Sequence, residues 1–276
     1  KNEDIDYGKW AKWKSFPERL EEQGISWRIY QNEISVPSGL TGEKDALLAN
    51  FTDNPIEWFE NYQVKFHPEY RQHLLEAKES LPGEIADLEE KVKTLSGADL
   101  TKVQRDLSRK KEFYETLKKD LELYTPENFE KLSAFQKSIH QKAFTNNRQD
   151  PAYRELTTFE YNEKDEKRSL ELPKGDIFHQ FRKDVEEGKL PTVSWLVAPE
   201  KFSDHPTAPW YGAWYVSEAM DILTQNPEVW KKTIFILTYD ENDGYYDHVP
   251  PFVAPNHKKT DSGKVSSGID ASVERV

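Results

Sequence analysis

The feature that most constrains this chain is a long apolar series at helical spacing. Leu81, Ile85, Leu88, Val92 and Leu95 recur at alternating steps of four and three, and after Ser96-Gly97-Ala98-Asp99 the series resumes at Leu100, Val103, Leu107, Tyr114, Leu117 and Leu121. Such spacing puts one apolar stripe on each of two helices, and the break at Ser96-Gly97 lets them fold back as a hairpin with a coiled-coil-like seam. The other faces are Lys and Glu, so most of this surface stays in water. Two roles are open to the hairpin: an arm that binds a partner or closes as a lid, or an antiparallel pair that packs on itself and on the core.

The hairpin explains much of an otherwise awkward composition, 36% hydrophobic against 32% charged residues over 276 positions. The core must come from the flanking segments. In SFPERLEEQGISWRIYQN, Ser15 stands at a helix start with Glu18 at capping-box spacing, and Gly24 ends that helix before the strand-like ISWRIY. PTVSWLVA at 191–198, bounded by Pro191 and Pro199, is a second strand. A helix over about 210–225 follows, with Val216, Met220 and Leu223 on one stripe, then a helical turn from Asn226-Pro227, and then TIFILTY at 233–239, the most apolar strand candidate. Apolar strands alternating with helices predict an α/β fold, a mostly parallel sheet flanked by helices. Within one domain over 1–276, residues 55–145 form a helical insertion, and the charged stretch 145–175 reads as an extended connection back into the sheet.

Charge and cysteine content narrow the function classes. With 38 Lys and Arg against 50 Asp and Glu, the net charge is -12, which disfavours a nucleic-acid backbone or an anionic membrane surface as partner. The absence of cysteine excludes disulfides, thiolate nucleophiles and Cys-ligated zinc, so any metal must use oxygen or imidazole ligands. No apolar stretch approaches the roughly 20 residues of a transmembrane helix. KNEDIDYGKW is neither a signal peptide nor an initiator-Met start, and the chain reads as an interior portion of something longer.

In an open parallel sheet, ligands bind beyond the carboxyl ends of the strands. Three loops would converge there: Gln31-Asn32, the Pro199–Pro209 segment with Ser203-Asp204-His205-Pro206, and Asp240-Glu241-Asn242-Asp243-Gly244. Asp240 and Glu241, held at the end of a strand, are a pair of hard oxygen ligands for a divalent cation, whose charge would offset their repulsion. The alternative is a solvated acidic turn. A calcium hand is excluded, because the glycine comes one place early, position twelve would be Pro251, and a strand precedes the loop. His205 and His248 each follow an aspartate at the same predicted edge, where imidazoles suit contact with phosphate oxygens or protonation of a leaving group. Each could equally satisfy a local hydrogen bond. Ser203 and Thr207 are hydroxyls in the same region, but the sequence places neither a base nor a metal pair beside them.

These residues also carry a resemblance. YDENDGYYDHVPP at 239–251, preceded by NPEVWKKTIFILT, resembles the signature of the bacterial phosphocholine-preferring phospholipase C family, which is similar to the acid phosphatases of the phosphoesterase superfamily. LPTVSWLVAPEKFSDHPTAPWYGAWYVSEAMDIL and SFPERLEEQGISWRIYQ resemble segments of the same family. The resemblance implies an alkaline-phosphatase-like α/β fold and metal-dependent phosphodiester hydrolysis, with phosphatidylcholine or sphingomyelin as substrate and export from the cell. It implies Asp240 and Glu241 as metal ligands, and His205 and His248 around the substrate phosphate. The family's hydroxyl nucleophile and its Glu-Asn metal pair would lie upstream of Ser15, so this chain would hold part of the apparatus and show little or no turnover alone. A different class is also open: a non-catalytic interaction module working through the 81–123 hairpin.

Overall fold

Ser15 and Glu18 close the capping box that their spacing predicts. Glu18 N donates to Ser15 Oγ at 3.4 Å, and Ser15 N donates to Glu18 Oε2 at 2.8 Å. This starts α1 (Phe16–Glu22), and Gly24, at φ +66°, turns the chain into β1 (Trp27–Gln31). The turn needs a left-handed backbone that glycine adopts without penalty. The computed structural model describes residues 10–164, 166–203 and 208–239.

After β1 come α2 (Glu43–Leu48), three short 3-10 turns within residues 55–66, and then α3 (Pro68–Thr94) and α4 (Gly97–Leu123). These two helices form the hairpin, and α3 begins a full 13 residues before the apolar series at Leu81. Leu81 and Leu117 are buried, whereas Leu95 near the tip is 36% exposed. Lys110–Glu84 at 2.5 Å and Lys111–Glu89 at 2.6 Å bridge the two helices on the outside. The hairpin therefore packs on itself along its length and enters the core at its base. There Tyr70 and Leu74 join Leu117, Trp27, Ile29 and Tyr62 in one cluster. Burial of this kind stabilises by roughly 1.5–3 kcal/mol per large apolar side chain, far more than the exposed ion pairs supply.

Next are α5 (Pro126–Glu130) and α6 (Ala134–Ala143), the latter started by a second capping box from Ser133 and Gln136. The stretch expected to be an extended connection instead contains an antiparallel hairpin, β2 (Leu156–Glu163) with β3 (Glu166–Pro173), Leu156 pairing with Pro173. Most of it is exposed and neither strand alternates in burial, so hydrophobic periodicity gave no warning of it. Then follow α7 (His179–Glu186), β4 (Val193–Val197), α8 (Pro209–Gln225) and α9 (Pro227–Trp230), with Asn226 capping the last. The buried stripe of α8 is Gly212, Tyr215, Ala219, Ile222 and Leu223; Val216 and Met220 are half-buried beside it.

β1 and β4 pair in parallel, Trp27 opposite Val193 and Gln31 opposite Val197, and β2–β3 is a separate sheet. The architecture is mixed α/β and mostly helical, with two strands where a larger parallel sheet was expected. The third expected strand is not formed: residues 233–239 have no regular structure, and Ile234, Ile236, Leu237 and Tyr239 are exposed. A strand exists through its ladder, and an apolar, β-branched run without a neighbour remains irregular chain whatever its propensity. The chain divides into two units at this run, Lys1–Ile234 and Phe235–Val276. The elements above belong to the first, and 235–239 are the described residues of the second.

Candidate functional site

Because β1 and β4 are parallel, the loops that leave their carboxyl ends share one edge. Glu200 N donates to Ala49 O at 2.8 Å, which ties the turn after β4 to the segment after α2. Two of the three loops predicted to converge, Gln31-Asn32 and Pro199–Ser203, are thus brought together. Asp240, Glu241, His205 and His248 lie outside the described residues, as does Thr207. Ser203 Oγ donates to Glu200 O at 2.7 Å, a local turn contact.

The edge is built from buried polar side chains. Gln31 Oε1 accepts from Asn50 Nδ2 at 3.0 Å and from Asn54 Nδ2 at 2.9 Å. Asn32 Nδ2 donates to Leu48 O and Tyr153 O, while its Oδ1 accepts from Asn147 Nδ2 at 3.0 Å. Asn147 in turn donates to Ile177 O, so one asparagine pair links β1, the α2 region and the start of α7. Two carboxylates shape the loop after β1. Glu57, 1% exposed, accepts from Ser35 N, Val36 N and Asn50 Nδ2. Glu33, fully buried, lies 3.6 Å from Arg154, which pairs with Glu69 at 2.5 Å.

Burial dominates the electrostatics. It pushes Glu33 up to about 8, against the Ile34 amide and the Arg154 charge, and Glu57 up to about 7 in spite of its amide donors. His140 is held down to about 4 by burial, even though its Nδ1 bonds to Tyr62 O at 2.8 Å, and buried His67 lies well below the ordinary imidazole range. Two buried donors have no partner among the described residues, Gln31 Nε2 and Asn146 Nδ2. Both belong to this edge, since Gln31 N bonds Thr145 O beside Asn146. The Asn146 side chain lies against Glu33 and lowers its pKa, opposing the effect of burial. Leftover amide donors at a strand end mark a place where an acceptor belongs.

Among the described residues no group of three or more His, Asp or Glu is placed to hold a metal ion. The described edge is a buried polar network that links the end of β1 to the segments around Asn50, Glu57 and Asn147. Glu33, Asn50, Asn54, Glu57 and Arg154 were not singled out from sequence. The available signal was the polar triplet Gln31-Asn32-Glu33 set between Tyr30 and Ile34, both buried.

Residues 123–272 match the phosphoesterase family, 150 of 276 positions. The chain belongs to the phosphoesterase family. The phosphoesterase match takes in β4, α8 and the loop after β4, together with positions 205, 240, 241 and 248. Among its relatives, a non-hemolytic phospholipase C of Burkholderia pseudomallei is 49% identical over 94 residues, 34% of this chain and 13% of that protein. A non-hemolytic phospholipase C of Pseudomonas aeruginosa is 46% identical over 96 residues, 34% of this chain and 14% of the relative. A hemolytic phospholipase C of the same organism is 53% identical over 77 residues, 28% of this chain and 10% of the relative. The matched stretches thus span well under a fifth of these phospholipases; β1, Asn50, Asn54 and Glu57 lie before the phosphoesterase match, and Asn146, Asn147 and Arg154 lie within it.

Proposed function

We propose that this chain is part of a phospholipase C-type phosphodiesterase acting on phosphatidylcholine or sphingomyelin, built on an alkaline-phosphatase-like sheet. The observation that carries the reading is identity near one half to three phospholipases C, within a chain of the phosphoesterase family. The parallel pair β1–β4 supports it, because two predicted loops share its carboxyl edge.

In this reading Asp240 and Glu241 hold a divalent cation, and His205 and His248 contact the substrate phosphate. Adjacent carboxylates are suitable donors for a hard cation by their chemistry, although two residues make an incomplete set and the described residues add no cluster. Such a cation supplies stabilisation of negative charge on phosphate oxygens. The chain's own residues orient the ester: imidazoles bind the phosphate and hold a proton for the leaving oxygen. With the hydroxyl nucleophile upstream, the chain alone turns over little or nothing. Export and a phospholipid substrate belong to the same proposal; no helix among the described residues is long and apolar enough to cross a membrane.

The test is a thermal-shift titration with Ca²⁺, Mg²⁺, Mn²⁺, Zn²⁺ and Fe²⁺ on the parent and on the double variant Asp240→Asn, Glu241→Gln. A cation at 100 times its Kd stabilises by about 2.7 kcal/mol. The reading expects one cation to raise the parent's Tm and leave the variant unchanged. In a longer chain that restores the upstream segment, the same variant abolishes release of phosphocholine. Retained hydrolysis in that longer variant would sink the assignment.

A further inference from the structure

A half-open cavity of about 450 Å³ lies between the start of α3, the turn that joins α4 to α5, and the end of α6, and meets the strand edge at Asn146. Its size falls in the range of small-molecule sites, roughly 300–1,000 Å³. One wall is a continuous run of ring contacts: Tyr124 to Phe66 at 5.0 Å, Phe66 to Phe129 at 5.7 Å, Phe129 to His140 at 5.0 Å and His140 to Phe144 at 5.1 Å. Two of these contacts are edge to face and two are tilted, and together they hold the rings in place before anything binds.

The charged lining has one sign. Arg71 and Arg148 both border the cavity, and no Asp or Glu does, in a chain whose net charge is -12. Arg71 is fixed by donating to Leu121 O at 2.9 Å and Tyr124 O at 3.3 Å, carbonyls that the end of α4 leaves exposed. Arg148 pairs through Nε with Glu69 at 3.2 Å, and its side chain is 47% exposed at the rim. His67 and His140 also line the cavity, and burial keeps both neutral near pH 7, so the two arginines carry the charge of the lining itself, with Glu69 beside Arg148 and Glu127 near Arg71 behind it. Asn146 lines it too, with its side chain also against Glu33.

The geometry points to a binding site for a small amphipathic anion, its acidic group toward Arg71 and Arg148 and its apolar body against the Phe66–Phe129–Phe144 wall. A cationic headgroup is disfavoured, because an aromatic cage for a cation works with neutral or acidic neighbours, whereas two guanidiniums repel it. A bare inorganic anion would leave the aromatic wall unused. The site involves none of the residues in the proposed phosphodiesterase chemistry, so neither proposal depends on the other.

Isothermal titration calorimetry with octyl phosphate, inorganic phosphate and octyltrimethylammonium, each below its micellar concentration, tests it. Octyl phosphate binds at least about tenfold tighter than inorganic phosphate, since burying two methylenes suffices for that ratio. Octyltrimethylammonium does not bind. Arg148→Gln and Leu75→Glu, both at exposed lining positions, each weaken octyl phosphate by about tenfold, the effect of one lost or opposed charge-assisted contact. Unchanged Tm in these two variants shows that the fold is intact. Absence of octyl phosphate binding, equal affinity for inorganic phosphate, binding of the cation, or binding indifferent to both substitutions would each overturn the proposal.

Discussion

Raising the pH from 6.5 to 8 should destabilise this protein, and the buried carboxyls set the size of the effect. Glu33 and Glu57 are raised by burial from 4.5 to about 8 and about 7. Above pH 4.5 the unfolded chain has lost both protons while the folded chain keeps them, so these groups make stability fall as pH rises. His140 and His67 act in the opposite sense, because burial lowers them and the unfolded chain holds their protons up to about pH 6.5. Two imidazoles offset two carboxyls between about pH 4.5 and 6.5, giving a plateau. Beyond it the carboxyls act alone, each on the order of 1 kcal/mol per pH unit: both to about pH 7, then Glu33 until about pH 8. The sum, on the order of 2–3 kcal/mol from pH 6.5 to 8, is a sizeable share of a typical stability of about 5–15 kcal/mol. Urea denaturation at half-unit steps reads this directly, and Glu33→Gln should remove the slope between pH 7 and 8. Equal or greater stability at pH 8 than at 6.5, or an unaltered slope in Glu33→Gln, would refute the reasoning. The groups around Glu33 would then have to hold it ionised: Arg154 at 3.6 Å, the Ile34 amide and Asn146 against the opposing Glu69 charge.

The hairpin and the first helix give two further expectations. Leu117→Ala, at a fully buried position in the core cluster, should cost about 2–5 kcal/mol. Leu107→Ala, farther along the hairpin and only half-buried, should cost under about 1.5 kcal/mol by the same denaturation assay; equal losses would mean that the distal seam is core after all. Ser15→Ala removes the cap of α1 together with the hydroxyl contact to Tyr62 at 2.5 Å, and should lower stability by about 1–2 kcal/mol in thermal unfolding. A change within a few tenths of a kcal/mol would show that the capping box contributes little.

What the sequence determined is local and periodic. Spacing alone specified the capping box at Ser15 and Glu18, the glycine turn at Gly24, two of the strands and both helices of the hairpin, because each depends on neighbours within a few positions or on a repeat that water enforces. Tertiary structure decided the rest. TIFILTY has the composition of a central strand, yet its residues have no ladder here, since pairing is supplied by another segment and not by propensity. The β2–β3 hairpin escaped notice for the converse reason, a ladder formed without a buried face to imprint alternation on the chain. The polar scaffold at the strand edge was still less legible. Gln31-Asn32 was legible as a loop at the ligand edge, but Glu33, Asn50, Asn54 and Glu57 look in sequence like ordinary loop residues, and only the folded chain removes them from water and bonds them into one network with Gln31, which is also what shifts Glu33 and Glu57.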